Sequence, residues 1–349
     1  MLLKKLILIM IAGGIVVFLL YLYIEKNHYY NITPEFSVSE SKNNNTAPEP
    51  VPFEELTIPY LRSRKYTSTL GIMEIISENG SYVSYLTSYL SDGFKVYGQL
   101  TQPTGKKPED GWPAIIFIHG YIPPAQYQTL VNYSSYVDYL ARNGFVVFKI
   151  DLRGHGKSEG EPRGGYYSSD YVIDVLNAYA ALQSSKFADK QKIGLWGHSM
   201  AGNVAFRSAV ADKEIPAVVI WSGAVYTYED LQEYGINDNS YRPPSEDSPG
   251  RRKRNELFET YGQFNSESDF WKQVVPVNYL AGVETAFQLN HAVNDNVVTV
   301  EYSRNLAKIL NEISLVYELK EYFGGGHNMT GNSFNQAMRN TVEFFKKYL

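Results

Sequence analysis

The run Lys192-Ile-Gly-Leu-Trp-Gly-His-Ser-Met-Ala-Gly202 decides how the rest of the chain is read. Ile193, Leu195 and Trp196 make a short apolar strand pattern, and Asn203 to Val210 read as a helix, so Ser199 stands at the joint. A serine on a sharp strand-to-helix turn has its hydroxyl lifted clear of the sheet, and small neighbours let the backbone bend. Gly197 and Gly202 supply small positions, while Ala201 stands where the common G-x-S-x-G pattern has its last glycine. One extra methyl is a mild departure. The pattern arises easily by chance, so the remaining sequence has to supply a base, an acid and oxyanion donors in a workable order.

Outward from Ser199 the chain alternates apolar strands and helices. Ala114 to Ile118 and Phe145 to Ile150 are apolar runs, followed by helical stretches over Leu130–Arg142 and Asp170–Gln183. Ala217 to Trp221 follows the Ser199 helix. Thr285 to Leu289 and Leu315 to Leu319 are further strands, paired with helices over Glu301–Asn311 and Ser333–Tyr348. Continuous apolar runs mark strands covered on both faces, so the fold class is α/β with a mostly parallel, doubly wound sheet. Ile72–Ile76, Tyr82–Leu90 and Phe94–Leu100 alternate instead, with Ser91-Asp92-Gly93 as a hairpin turn, and predict an antiparallel entry to that sheet. About 60 residues separate Trp221 from Val283, too many for a plain crossover, and they predict a helical cap inserted at about 223–283. Arg251-Arg-Lys-Arg254 inside it reads as a solvated helix start; contact with an anionic substrate or phospholipid is the alternative.

Three more segments end strands of this pattern: His119-Gly120-Tyr121, Asn294-Asp295 and Gly324-Gly-Gly-His327. Nucleophile, acid and histidine then follow in chain order, each just past a strand's C-terminal end, as an α/β-hydrolase requires. Phe117-Ile-His-Gly-Tyr121, Asp151-Leu-Arg-Gly-His-Gly-Lys-Ser-Glu-Gly160, Gly197-His-Ser-Met-Ala-Gly202, Asn290-His-Ala-Val-Asn-Asp-Asn-Val-Val298 and Gly326-His327 all look like signatures of that superfamily. The set is similar in particular to the catalytic domain of the prolyl oligopeptidase and acylaminoacyl-peptidase family, the S9-like serine peptidases, over roughly residues 95 to 349. The β-propeller that many of those peptidases carry has no room before it.

Ser199 is the expected nucleophile and His327 the base, with Asp295 fixing the imidazole tautomer and stabilising its charged form. Asp151 and Asp212 are weaker rivals, lying before or beside the elbow. The oxyanion donors are expected to be the backbone N–H of Met200 and that of Tyr121. His119 and His198 read as structural, His155 as part of a turn at the rim, and His291 as a position where relatives often show His-Gly but alanine follows here. Glu159 and Glu161 are candidates for holding a substrate's amino terminus, with a solvated loop as the plainer reading. No metal or other cofactor is expected, since no H-E-x-x-H or carboxylate-paired spacing occurs.

Composition bounds the partners and the compartment. The 349 residues hold one large domain plus appendages, and a net charge of −5 gives no reason to expect nucleic acid. The absence of cysteine rules out disulfides and thiolate metal sites. Leu6 to Ile24 carries no charge and follows Lys4 and Lys5; as a helix it covers about 28 Å, close to the ~30 Å hydrocarbon core. No small-x-small cleavage site follows Leu20, so residues 1–26 read as an uncleaved anchor with the remainder exported, rather than as a signal peptide. Residues 27–65 read as an extended polar linker and 66–349 as the catalytic domain. The sequence therefore predicts a membrane-anchored, extracytoplasmic serine hydrolase. A peptidase acting on short peptides is its first reading, a carboxylesterase or lipase its second, and a non-catalytic binding module of the same fold its third.

Overall fold

The computed structural model describes residues 51–349 apart from 240 and 244. Nine strands make one sheet: β1 (Glu74–Glu78), β2 (Tyr82–Ser91), β3 (Phe94–Pro103), β4 (Trp112–Ile118), β5 (Val146–Ile150), β6 (Ala188–His198), β7 (Ala217–Trp221), β8 (Ala286–Ala292) and β9 (Tyr317–Tyr322). Their spatial order is β1-β2-β3-β5-β4-β6-β7-β8-β9. β1 to β3 are antiparallel, β3 meets β5 antiparallel, and every pair from β5 to β9 is parallel. The β2–β3 turn places Asp92 at φ 50° and Gly93 at φ 83°. That is the mirror-image turn whose twist suits a tight hairpin.

Parallel strands buried on both faces explain the apolar runs. Along β4, Ala114, Ile116 and Ile118 face one core layer while Ile115 and Phe117 face the other, and all five are fully buried. Helices α3 (Asp170–Gln183), α4 (Met200–Ala211) and α8 (Glu301–Glu312) pack on the first layer. Helices α2 (Ser134–Arg142) and α9 (Asn332–Tyr348) pack on the second. β4 has β5 on one side and β6 on the other, so the chain reverses its direction of advance at β4. Such a switch opens a crevice beyond the strands' carboxyl ends, and Ile118 stands opposite Gly197 there.

Between β7 and β8 lie helices α5 (Tyr228–Tyr234), α6 (Pro249–Tyr261) and α7 (Asp269–Val274). Thr227, Ser248 and Ser268 cap them, each side chain accepting from a backbone N–H of the first turn. The basic run thus falls in the first turn of α6, beginning at its third residue, because Ser248-Pro249 supplies cap and first residue. Three of its four charges are engaged by the protein itself: Arg251 pairs with Glu246 at 3.5 Å, Arg252 donates to the Asp247 carbonyl and Lys253 pairs with Glu55.

The extended linker expected up to residue 65 ends earlier. A 3₁₀ turn at Glu54–Leu56 leads into α1 (Ile58–Ser63), and Leu56, Ile58 and Leu61 are buried in the first core layer. Arg207, fully buried on α4, donates to the Leu56 carbonyl at 2.9 Å, and Arg62 donates to the Val210 carbonyl at 2.9 Å. A buried guanidinium without a carboxylate holds its place only when carbonyls take up its donors, so this segment belongs to the domain. The expected membrane span over residues 1–26 lies outside the described residues, as does the linker to residue 50. Among the described residues no helix is long and apolar enough to cross a membrane.

If residues 56–61 are core, Leu61→Ala should destabilise the fold by about 2–5 kcal/mol. Urea unfolding checks this: a lower midpoint at unchanged slope is expected, whereas an unchanged midpoint returns the segment to linker.

Candidate active site

Ser199 occupies the single residue between the end of β6 and the start of α4, at φ 55° and ψ −121°. A non-glycine residue in that region is strained by about 1–3 kcal/mol and persists only where its surroundings dictate the geometry. Here the Ser199 N–H donates to the Trp221 carbonyl at 2.9 Å, and the Gly202 N–H donates to the Ser199 carbonyl at 2.8 Å. A Cβ on Gly197 would stand 2.5 Å from the Ala201 carbonyl oxygen, a backbone atom with no room to move. The bend therefore demands glycine at 197 while tolerating alanine at 201.

His327 reaches this turn from the loop after β9. Its Nε2 lies 2.9 Å from Ser199 Oγ, and its Nδ1 lies 2.8 Å from Asp295 Oδ2. A carboxylate only accepts, so Nδ1 carries the proton and Nε2 is left free to accept from the serine hydroxyl. The Asp295 side chain is fully buried and that of His327 is 16% exposed, so the acid sits behind the base. Burial alone would raise the Asp295 carboxyl. Hydrogen bonds from His291, His327 and the Val298 N–H outweigh it and hold the group well below the usual carboxylate range. Oδ1 accepts from Val297 N at 2.9 Å and Val298 N at 3.0 Å.

The second histidine on Asp295 is a residue that sequence reasoning under-read. His291, fully buried on β8, places Nε2 3.3 Å from Asp295 Oδ2 and 2.9 Å from the Val298 carbonyl, with Nδ1 2.8 Å from Ser303 Oγ. Its signal was the spacing of four between His291 and Asp295, which a turn following a strand can close. The alanine at 292 leaves this contact intact.

Met200 is the first residue of α4, where an N–H has no intrahelical acceptor. Tyr121 lies in the loop that follows β4, whose last residue, Ile118, pairs with Gly197 of β6 just before the Ser199 turn. The remaining candidates are engaged elsewhere. Asp151 accepts from Tyr127 Oη at 2.8 Å and Thr129 Oγ1 at 2.6 Å, and Asp212 caps the far end of α4. His119 lies with Nδ1 2.8 Å from Gly120 O and Nε2 3.2 Å from Asp151 O, stacks on Tyr127, and is pushed down to about 3 by burial, so it is neutral and donates to one of the two carbonyls. His155 packs edge-on against His119 and Tyr127. Glu159 accepts from Lys95 N at 2.8 Å, which ties it to the hairpin, and Glu161 is exposed. Among the described residues no group of three or more His, Cys, Asp or Glu side chains is placed to hold a metal ion.

Comparison with known proteins gives two family matches. Residues 113–237 match the model "Serine aminopeptidase, S33", and residues 176–349 match "BAAT / Acyl-CoA thioester hydrolase C terminal". The chain is similar to thiohydrolase aneE of Aspergillus aculeatus, 30% identical over 40% of this chain and 40% of that protein. It is also similar to the uncharacterized peptidase YtmA of Bacillus subtilis, 22% identical over 75% of this chain and 93% of that one. Among solved structures it resembles an acetyl xylan esterase from Paenibacillus sp. R4, with TM-score 0.59 and 17% identity over 84% of this chain and 92% of the esterase. The matched region spans less than half the length of the first curated relatives. In sheet order, elbow and sequence matches alike, the chain is an α/β-hydrolase.

Proposed function

We propose that the chain is a serine hydrolase that cleaves short peptides through an acyl-enzyme on Ser199. One observation carries the reading: the Ser199 hydroxyl, the His327 ring and the Asp295 carboxylate form a continuous hydrogen-bonded line at 2.9 and 2.8 Å. As Ser199 Oγ attacks a carbonyl carbon, its proton passes to His327 Nε2. The Asp295 carboxylate stabilises the imidazolium that forms and keeps Nδ1–H in place. The carbonyl oxygen gains a full charge at this point and is met by the N–H groups of Met200 and Tyr121, each such donor being worth about 2.7–4 kcal/mol. Collapse expels the leaving group, which takes the Nε2 proton. Water then attacks the acyl carbon, with His327 again as base.

Peptide and ester hydrolysis share every step above and differ in the leaving group and the pocket. The serine aminopeptidase match and the likeness to YtmA favour peptides. The thioester hydrolase match and the likeness to aneE favour an acyl ester or thioester as the second reading. Residues 6–24 would tether the enzyme to a membrane with its catalytic domain on the extracytoplasmic side.

A fluorophosphonate probe should label the wild type and leave Ser199→Ala unlabelled; a wild type that stays unlabelled removes the enzyme. Comparing kcat/KM for aminoacyl anilides and short acyl esters then separates the two substrate classes. Activity confined to esters overturns the peptidase reading.

Asp295→Asn should lower kcat by about 10⁴, because an amide favours the wrong imidazole tautomer. The same variant carries a pH signature in stability. The native Asp295 carboxyl titrates below its unfolded value of about 3.9, so the stability it supplies is complete above that pH and is lost as pH falls toward the native value. Denaturant unfolding should show the variant less stable than wild type at pH 7, with the gap narrowing below about pH 4. A gap constant with pH would mean that the carboxylate is not held in this way.

A further inference from the structure

We propose that Tyr133 and His198 are positioning residues which lock the His327 main chain and the Gly120 amide into one arrangement around Ser199. The inference rests on the triad reading above and concerns groups outside it. His198 Nε2 lies 3.0 Å from the His327 carbonyl oxygen, and His198 Nδ1 lies 2.7 Å from the Tyr133 hydroxyl. A carbonyl only accepts, so Nε2 carries the ring proton. The ring is 2% exposed, and burial, reinforced by the neighbouring His327, pushes it down to about 3. It is therefore neutral, and Nδ1 is an acceptor. The Tyr133 hydroxyl has to donate to it, which leaves the phenolic oxygen to accept from the Gly120 N–H at 3.1 Å.

Every proton in this line has one place. It runs from the Gly120 N–H to the Tyr133 oxygen, from the Tyr133 hydroxyl to His198 Nδ1, and from His198 Nε2–H to the His327 carbonyl. One end is the residue before Tyr121, the proposed oxyanion donor; the other is the main chain of the proposed base. Adjacent to it, Tyr136 Oη donates to the Asn328 carbonyl at 3.2 Å, so two successive carbonyls of the histidine loop are held, one by His198 at the end of β6 and one from α2.

Tyr133 is itself fixed. Its backbone sits at φ 60° just before α2, and Lys149, fully buried on β5, donates from Nζ to the Asn132 carbonyl at 2.7 Å and to the Thr129 carbonyl. Phe117 and Tyr136 pack edge-on against its ring at 5.4 and 5.2 Å. Gly120 lets the line close: a Cβ there would meet Tyr133 Oη at 2.9 Å and His198 Nδ1 at 3.2 Å.

Packing alone needs only the rings, whereas positioning needs the hydroxyl and the two ring nitrogens. Tyr133→Phe keeps the ring and deletes the line. It should lower kcat, and the rate of fluorophosphonate labelling, about tenfold or more, with KM within about twofold of wild type. His198→Phe should show the same split. His198→Gln, whose amide offers one acceptor and one donor at nearly the separation of the ring nitrogens, should recover most of the lost kcat. Unchanged kcat in Tyr133→Phe overturns the inference. So does a His198→Gln enzyme no faster than His198→Phe, which would leave a packing role only. A wild type that is neither labelled nor active sinks the serine-hydrolase reading itself. An active wild type abolished by Ser199→Ala but indifferent to Tyr133→Phe sinks this inference alone. If Tyr133→Phe fails to fold by circular dichroism, the two His198 variants decide.

Discussion

Between His198, the last residue of β6, and Met200, the first of α4, the backbone has one residue in which to turn from strand to helix, and that residue is Ser199 at φ 55°. The turn lies beside the strand where the sheet reverses its order, so the hydroxyl stands in the crevice between the ends of β4 and β6. It also leaves the Met200 N–H without an intrahelical acceptor, because a first-turn amide has no carbonyl four residues back. The proposed nucleophile and the proposed oxyanion donor thus follow from one strained bend, and Gly197 is the residue that lets it pack. Asp295 and His327 are brought to the same edge because parallel strands all finish there.

Burial settles which histidine is chemically available. His119 and His198 are both driven down to about 3 by desolvation, so neither carries charge near neutral pH. The ring of His198 lies 4.8 Å from that of His327, and a cation there would oppose the imidazolium formed in catalysis. Among the described residues, only His327 combines a partly exposed ring with a buried carboxylate on one nitrogen and the serine on the other. The four acceptor contacts on Asp295 keep that carboxylate ionised despite its burial.

Local pattern and chain order made much of this legible in the sequence. The apolar runs of β4, β5 and β7 fall where they were read, since a strand covered on both faces is mostly apolar; the buried exception, Lys149 on β5, has its Nζ on the Thr129 and Asn132 carbonyls. Ser199, Asp295 and His327 were read from their order along the chain, and they meet in space. What stayed illegible depends on contacts distant in sequence. Six residues of α1 are too few to show a period, and Leu56, Ile58 and Leu61 reveal themselves as core only through packing under α4. Tyr133 is one of 29 tyrosines, and its hydroxyl matters because His198, 65 positions away, lies against it. His291 suggested a family variation in its neighbour at 292 rather than a second ligand for Asp295.

The convergence of three strand ends on one reacting carbon is tested most directly by a crystal structure of the chain after reaction with an alkyl fluorophosphonate. The phosphorus should be bonded to Ser199 Oγ, with one phosphonyl oxygen about 2.7–3.1 Å from the N–H groups of Met200 and Tyr121. The His327 ring should remain on Asp295 Oδ2. Phosphorus on another residue, or a phosphonyl oxygen turned away from both amides, would contradict it.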